Sequence, residues 1–458
     1  MFLEKVKTPG LAHLSYVLGE GGVAAVIDPR RDWQVYVDIA TANDCRIGHV
    51  FETHRNEDLV SGAPLLARAT GAAVHHGPNA DGEVRYADTV RDGDLFRFGK
   101  IELRVLETPG HTDDSLSFAI FDSAFDDGAV GVFTGDALFV GDVGRTDFYP
   151  DRAEEVAGLL YDSLRKLLAL GDQALVYPAH GAGSVCGDNM ADREFSSLGH
   201  ERRNNPMLAI DDRDAFIARK LAEHHDQPPY FRLMEHLNLV GGEAPPPVLA
   251  PAPLTPEDLK QAQGSTLVDV RGVTAYLGGH LPGSLALPAD MVSAFAGWLL
   301  ESDDDIVLVA DGEAQATDVA RQLARIGYDE VRGRLIPALP GWASGARPFR
   351  SMPVVDVAEV ATRVAERPNG WTLLDVRKQP EVEQGVVEGA EHIFIGDLPD
   401  RLDSLPRDRH HTVMCASGAR ATIAASVLSR AGFEKVDVFL GSMGAWKAAG
   451  HPTVELSG

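Results

Sequence analysis

THRNEDLVSG, residues 53–62, follows an apolar run and sets a histidine, His54, and an acid, Asp58, where a strand-like segment gives way to a loop. The same arrangement returns downstream. TPGHTDDS (108–115) brings His111, FTGDALFVGDVGRTDF (133–148) brings Asp136, and YPAHG (177–181) brings His180. A lone histidine after a strand is usually a hydrogen-bonded loop residue. Four such segments in this order point to one shared site, because a layered fold gathers strand-end loops that are distant in sequence.

Around these motifs, the apolar runs AAVIDP (24–29), ELRVLETPG (102–110), VGVFTGD (130–136) and ALVYPAHG (174–181) each end in turn residues, as strands do. Apolar positions recur at helical spacing in AEEVAGLLYDSLRKLLA, which predicts a helix over 153–169. The first part of the chain is therefore mixed α and β. It closes at GGEAPPPVLAPAP, residues 241–253, where repeated proline favours an extended linker, taken as 241–254.

Beyond the linker the chain repeats itself. TLVDVRGVTAYLGGHLPGSLALP (266–288) is echoed by TLLDVRKQPEVEQGVVEGAEHIFIG (372–396), with Asp269 and Asp375 offset by 375 − 269 = 106 residues. DIVLVADGEAQATDVARQLARIGYDEV (305–331) pairs with HTVMCASGARATIAASVLSRAGFEKV (411–436), each reading as strand, tight loop, helix and return strand. Two homologous α/β domains follow, over 255–348 and 354–456, of an ordinary domain size.

The first part, residues 1–240, resembles the metallo-β-lactamase superfamily, whose signature T-H-x-H-x-D-H is followed by a later His, an Asp and a final His. The resemblance implies an αββα sandwich. The chain departs from the signature at Asn56 and Leu59, which stand where two further histidines are expected. That leaves the binuclear zinc site of the hydrolases incomplete. What remains of the first metal position is His54, His111 and Asp136, two imidazoles and a carboxylate, the set expected of a non-haem Fe(II) oxygenase.

Within the superfamily the persulfide dioxygenases are similar, in this ligand set, in GRTDF (144–148) and in SSLGHERRNNPML (196–208). The likeness implies one Fe(II) per chain and oxidation of a low-molecular-weight thiol persulfide by O2, the terminal sulfur leaving as sulfite. Asp58 and His180 are then candidates to orient a ligand or an iron-bound water, Asn56 to hydrogen-bond near the iron. Arg145 either holds an anionic part of the substrate or forms a structural ion pair.

In the last domain the strand HTVM delivers Cys415 into the loop CASGAR, which ends at Arg420 and runs into a helix. Backbone N–H groups and the positive helix end there favour a thiolate or an anionic persulfide, with Arg420 adding charge. The loop resembles the rhodanese active-site loop, a Cys followed five residues later by Arg. The resemblance implies sulfur transfer involving sulfite or thiosulfate. The middle domain carries Ala310 and Gln315 at the matching positions and is expected to be a rhodanese-like module without thiol chemistry. His280 in GGHLPGS is read as architectural, Cys45 as packing, and Cys186 as a less favoured candidate for sulfur relay. The doublets His75-His76 and His224-His225 are read as structural or surface residues.

Bulk properties agree. A chain of 458 residues is too long for one core, and 44% hydrophobic with 24% charged residues suits globular domains. A net charge of −26 repels phosphate backbones and anionic lipid, which argues against nucleic acid or membrane as partner. The start, MFLEKVKTPG, lacks the apolar core of a signal peptide, and three scattered cysteines suit reduced thiols, so the chain is read as cytoplasmic. A homo-oligomer is an option the sequence leaves open. The reading of the whole is an α/β multidomain fusion of a persulfide dioxygenase with two rhodanese-like domains, acting in sulfide detoxification. Its rivals are a zinc-dependent thioester hydrolase of the glyoxalase II kind with rhodanese appendages, or a sulfur-carrier scaffold with a degenerate metal site.

Overall fold

The structure is a computed structural model that describes residues 1–79, 82–125, 128–184, 186–187, 190–223, 225–241, 250–262, 264–336 and 339–455. Most of the proline-rich linker, residues 242–249, and one member of a histidine doublet, His224, lie outside the described residues. The chain divides into two compact units, one built on residues 1–245 and the other on 246–458, with the short segment 325–327 grouped with the first.

The first unit begins with strands β1 (Phe2–Thr8), β2 (His13–Glu20), β3 (Val23–Ile27), β4 (Arg46–Phe51), β5 (Ala73–His76) and β6 (Asp88–Thr89), which hydrogen-bond in that order into one sheet. A second sheet follows from β7 (Leu95–Phe98), β8 (Ile101–Glu107), β9 (Leu116–Asp122), β10 (Gly131–Gly135), β11 (Leu175–Pro178) and β12 (Ser196–Ser197), in the order β12-β11-β10-β9-β8-β7. Period-two alternation explains the layering. Leu18, Ala25 and Ile27 share an inner core with Phe118, Ile120 and Phe133 of the other sheet. Their chain neighbours Val17, Ala24 and Val26 face outward into a core that includes Tyr36, Ala40, Ala63 and Leu66. Those four residues come from the helices Gln34–Ala42 and Ala63–Thr70.

On the far side, Ala119 and Val132 pack with Leu160, Leu164, Leu167 and Leu168. These leucines form the buried stripe of the helix Ala153–Leu168, which matches the predicted helix within a residue. Glu154 and Glu155 in its first turn and Arg165 and Lys166 in its last complement the helix dipole. The unit is thus an αββα sandwich. The four strand-end motifs leave β4, β8, β10 and β11 at their carboxyl ends.

In the second unit, β13 (Pro253–Leu254), β14 (Thr266–Asp269), β15 (Leu285–Ala286), β16 (Ile306–Val309) and β17 (Val331–Leu335) form a parallel sheet in the order β13-β17-β16-β14-β15. Strands β18 (Val354–Val355), β19 (Trp371–Asp375), β20 (Glu391–His392), β21 (His410–Met414) and β22 (Val436–Phe439) repeat it as β18-β22-β21-β19-β20. The internal repeat read from sequence is therefore one topology built twice. It extends to side chains. Arg271 makes a two-pronged ion pair with Asp269 and donates to the Gly279 carbonyl, and Arg377 does the same with Asp375 and the Gly385 carbonyl. His280, buried against the Tyr276 ring with centroids 4.0 Å apart, has an architectural place. Among the described residues no helix is long and apolar enough to cross a membrane.

Candidate metal centre and thiol loop

Position in the fold brings His54, His111 and Asp136 together. One ligand-capable atom from each lies within 4.8 Å of the others, and all three residues are buried. The turn that presents Asp136 depends on Gly135, whose φ of +53° belongs to the left-handed region. A Cβ there would also stand 2.8 Å from the Thr53 Cβ.

Hydrogen bonds decide which imidazole nitrogen faces the centre. The Nδ1 of His111 lies 3.0 Å from the Arg145 carbonyl, which only accepts, so Nδ1 carries a proton and Nε2 is the nitrogen turned to the centre. For His54 the same result comes through a relay. The Thr53 hydroxyl and backbone N–H both donate to the buried Asp28 carboxylate, at 2.9 and 2.7 Å, so the hydroxyl oxygen accepts from His54 Nδ1 at 2.9 Å. Burial pushes Asp28 up to about 7, and its two hydrogen bonds from Thr53 offset part of that effect. Both Nε2 atoms are buried without a hydrogen-bond partner. Buried, unpartnered donors of this kind suit a metal ion, since a metal takes the lone pairs that no hydrogen satisfies.

His180 lies between two carboxylates. Its Nδ1 is 2.8 Å from Asp136 Oδ1 and its Nε2 2.9 Å from Asp58 Oδ2. Burial works against a charge on this ring, but Asp136 and Asp58 outweigh it and hold His180 well above the ordinary histidine range. Burial would likewise raise Asp136; His180, His54 and His111 instead hold its carboxyl far below the usual range. His180 is therefore an imidazolium that fixes the Asp136 carboxylate. We expect His180→Gln to weaken metal binding about 10–100-fold while the stoichiometry stays unchanged, as measured by chelator competition. Loss of a second ion instead would make His180 a ligand of a binuclear site.

The remaining sequence candidates take different places. Asn56 is buried with its Nδ2 3.4 Å from the His54 carbonyl, and its Oδ1 has no hydrogen-bond partner. The Arg145 guanidinium is fully buried, forms a two-pronged ion pair with Asp147 and stacks 4.9 Å over the Phe148 ring. GRTDF thus supports the loop from within. Cys186 lies in a buried group with Asp58 and His180, and burial pushes its thiol up to about 12, which makes it a poor nucleophile. Cys45 is half-buried against the outer core of the first sheet. His75 stacks on Phe51, and His76 faces Asp114 at 3.3 Å. Sequence reasoning passed over Glu57, which is buried with both carboxylate oxygens lacking a hydrogen-bond partner. Nothing in its spacing signalled this, because the segment is an irregular loop.

In the second unit, Cys415 follows β21 and is buried. The Gly418 N–H donates to its Sγ at 3.1 Å, and the helix Ala419–Arg430 starts directly after. The backbone N–H groups of Gly441, Met443 and Gly444 donate to the carbonyls of Ser417, Cys415 and Ala416, clamping the loop from outside. Arg420 makes a two-pronged pair with Glu381 at 2.5 and 2.7 Å, a partner the sequence did not disclose. At the matching place in the middle domain, Ala310 is buried and Gln315 Oε1 accepts from the Asp311 N–H at 2.8 Å, closing the loop on itself.

Comparison with known proteins agrees with this layout. The family model of the metallo-beta-lactamase superfamily matches residues 8–180, and that of the rhodanese-like domain matches 255–335 and 357–449. A solved metallo-beta-lactamase of Staphylococcus aureus is 30% identical with a TM-score of 0.67, over 73% of this chain and 98% of that one. A hydroxyacylglutathione hydrolase of Rhodospirillum rubrum is 34% identical over 166 residues, 35% of this chain, which spans 57% of that protein. The mitochondrial persulfide dioxygenase of Bos taurus is 29% identical over 223 residues, 46% of this chain and 77% of that protein. The chain therefore belongs to the metallo-beta-lactamase superfamily, with two rhodanese-like domains following the sandwich.

Proposed function

We propose that the first unit is a mononuclear non-haem iron persulfide dioxygenase, coupled to rhodanese sulfur transfer at Cys415 in the second. The observation that carries the reading is the donor set: two lone-pair-bearing Nε2 atoms and one carboxylate, buried together, with Asn56 and Leu59 where a binuclear site needs histidines. The likeness to persulfide dioxygenases supports the same assignment.

His54, His111 and Asp136 would hold the iron. Bound Fe(II) supplies positions on which a persulfide sulfur and O2 become neighbours, the oxygen chemistry being the metal's own. The chain's residues hold the donors ready. The Arg145 carbonyl and the Asp28–Thr53 relay keep both rings in the right tautomer, and His180 fixes Asp136 by charge-assisted hydrogen bonds. Complete burial of these donors excludes bulk water and strengthens their electrostatics.

At Cys415 the sulfur attacks the outer sulfur of a thiosulfate-like donor. One S–S bond forms, the donor's S–S bond breaks, and sulfite leaves with the electron pair. The reverse step hands sulfane sulfur from the Cys415 persulfide to sulfite. The Gly418 N–H donates to the sulfur, and the helix Ala419–Arg430 begins beside it.

The likeness to hydroxyacylglutathione hydrolases favours a second reading, zinc-dependent thioester hydrolysis. Metal analysis of anaerobically purified chain, paired with oxygen uptake on adding glutathione persulfide, separates the two. About one iron per chain with persulfide-dependent uptake is the expected result. Zinc, thioester hydrolysis and no uptake would replace the dioxygenase reading with the hydrolase.

A further inference from the structure

Glu57 is the one acid of the THRNEDL loop to which neither the family signature nor the proposed mechanism gives a task. Its side chain is 2% exposed, and among the described residues neither carboxylate oxygen has a partner at hydrogen-bond length, the His111 ring standing 3.7 Å away. A buried carboxylate in that condition is strongly unfavourable unless a cation or donor faces it. Arg55 feels the charge of Glu57 from a distance, but its ion pair within 4 Å is with Glu235, at 3.9 Å.

What does face Glu57 are the two candidate ligand rings. Its Oε2 stands 3.9 Å from His54 Nε2 and 3.7 Å from His111 Nε2. The same two nitrogens stand 3.9 and 3.4 Å from Asp136 Oδ2. Both rings turn Nδ1 to a hydrogen-bond acceptor, so both Nε2 atoms face the Glu57 and Asp136 carboxylates across these gaps. A cation relieves that arrangement. Ligands bound about 2.0–2.2 Å from one ion stand roughly 3–4 Å from each other, the range these separations occupy.

The loop is held on both sides of Glu57. Asn238 Nδ2 donates to the carbonyls of Asn56 at 2.7 Å and Leu59 at 2.8 Å. Asn56, in the place of the missing signature histidine, directs its own amide at the His54 carbonyl. The residue that the signature leaves unspecified is the one whose carboxylate reaches the two rings.

We propose that Glu57 is a fourth protein ligand, so that the ion is held by two imidazoles and two carboxylates. The two carboxylates neutralise a divalent ion, and an all-N/O set with doubled carboxylate shifts preference toward harder ions such as Fe(II) or Mn(II). A six-coordinate ion keeps two positions for outside ligands. The inference requires a divalent ion at His54, His111 and Asp136, but not persulfide chemistry, so it goes beyond the proposed function.

The test is Glu57→Gln in the full chain, loaded anaerobically with Fe(II) and, separately, with Co(II). The expected result is iron affinity lower by about 10–100-fold in chelator competition, altered Co(II) ligand-field absorption, and a smaller rise in melting temperature on loading. The metal-free variant should melt at or above the metal-free unaltered chain, because a buried unpartnered charge has gone. Unchanged affinity with an unchanged Co(II) spectrum overturns the proposal. Should the variant not fold, diffraction from the metal-loaded unaltered chain decides: a Glu57 oxygen within bonding distance of the ion supports it, and a carboxylate turned away overturns it. Metal retention through Glu57 without oxygen uptake removes the dioxygenase reading and leaves this one standing.

Discussion

His111→Ala is expected to lower persulfide-dependent oxygen uptake by about a thousandfold or more while leaving sulfur transfer at Cys415 within about twofold. The size of the loss follows from the site. His111 supplies one of two imidazole nitrogens, and its ring is held by a single hydrogen bond to the Arg145 carbonyl, so no neighbouring side chain takes its place. Truncation also leaves the Asp136 and Glu57 carboxylates facing a void. The variant, purified anaerobically, should therefore show iron well below one per chain in elemental analysis. Sulfur transfer survives because Cys415 lies in the other compact unit, on its own strand and helix. Oxygen uptake is read with a polarographic electrode and transfer by thiocyanate formation from thiosulfate and cyanide. An equal loss of both activities would sink the two-site model.

Cys415→Ser should give the mirror image, with transfer lower by about a thousandfold or more and oxygen uptake within about twofold. Serine keeps the loop's shape, but its oxygen forms no persulfide, and the Gly418 N–H is left pointing at a neutral hydroxyl. Cys186 does not rescue it, being buried in the first unit with its thiol pushed up to about 12. The middle domain does not rescue it either, since Ala310 stands in the thiol's place. Residual transfer above a hundredth of the unaltered rate would point to a second nucleophile.

The strand-end residues were legible in the sequence because the signal is local. An apolar run, a turn and a His or Asp within a few positions put each ligand candidate at the carboxyl end of a strand, and the order of four such motifs did the rest. The duplicated unit was legible for the same reason, as a period of about 106 residues carrying the Asp-x-Arg clamp twice. Long-range partners were not. Glu57 sits in a run of polar residues whose spacing says nothing of which side chain turns inward; that depends on Asn238, far along the chain. His180 is held charged by Asp136, 44 residues away, and by Asp58, 122 residues away. Arg145 left two readings open, and only the packing of Asp147 and Phe148 around its buried guanidinium favours the ion pair. The Glu381 partner of Arg420 was equally hidden, across 39 residues.

The candidate ligands do not all come from one sheet. His54 leaves β4 of the first sheet, whereas His111 and Asp136 leave β8 and β10 of the second. An ion held by all three is therefore a staple across one end of the sandwich, adding to the Leu116 N–H bond to the Thr53 carbonyl and the His180–Asp58 ion pair that already join the two layers there. At a free concentration a thousand times its dissociation constant such an ion adds about 4 kcal/mol to the folded state. Starved of metal, the chain becomes a loosened sandwich whose seam exchanges its amide hydrogens faster and yields sooner to proteases. In a cell this would make metal supply a determinant of how long each molecule survives, separate from whether it turns over.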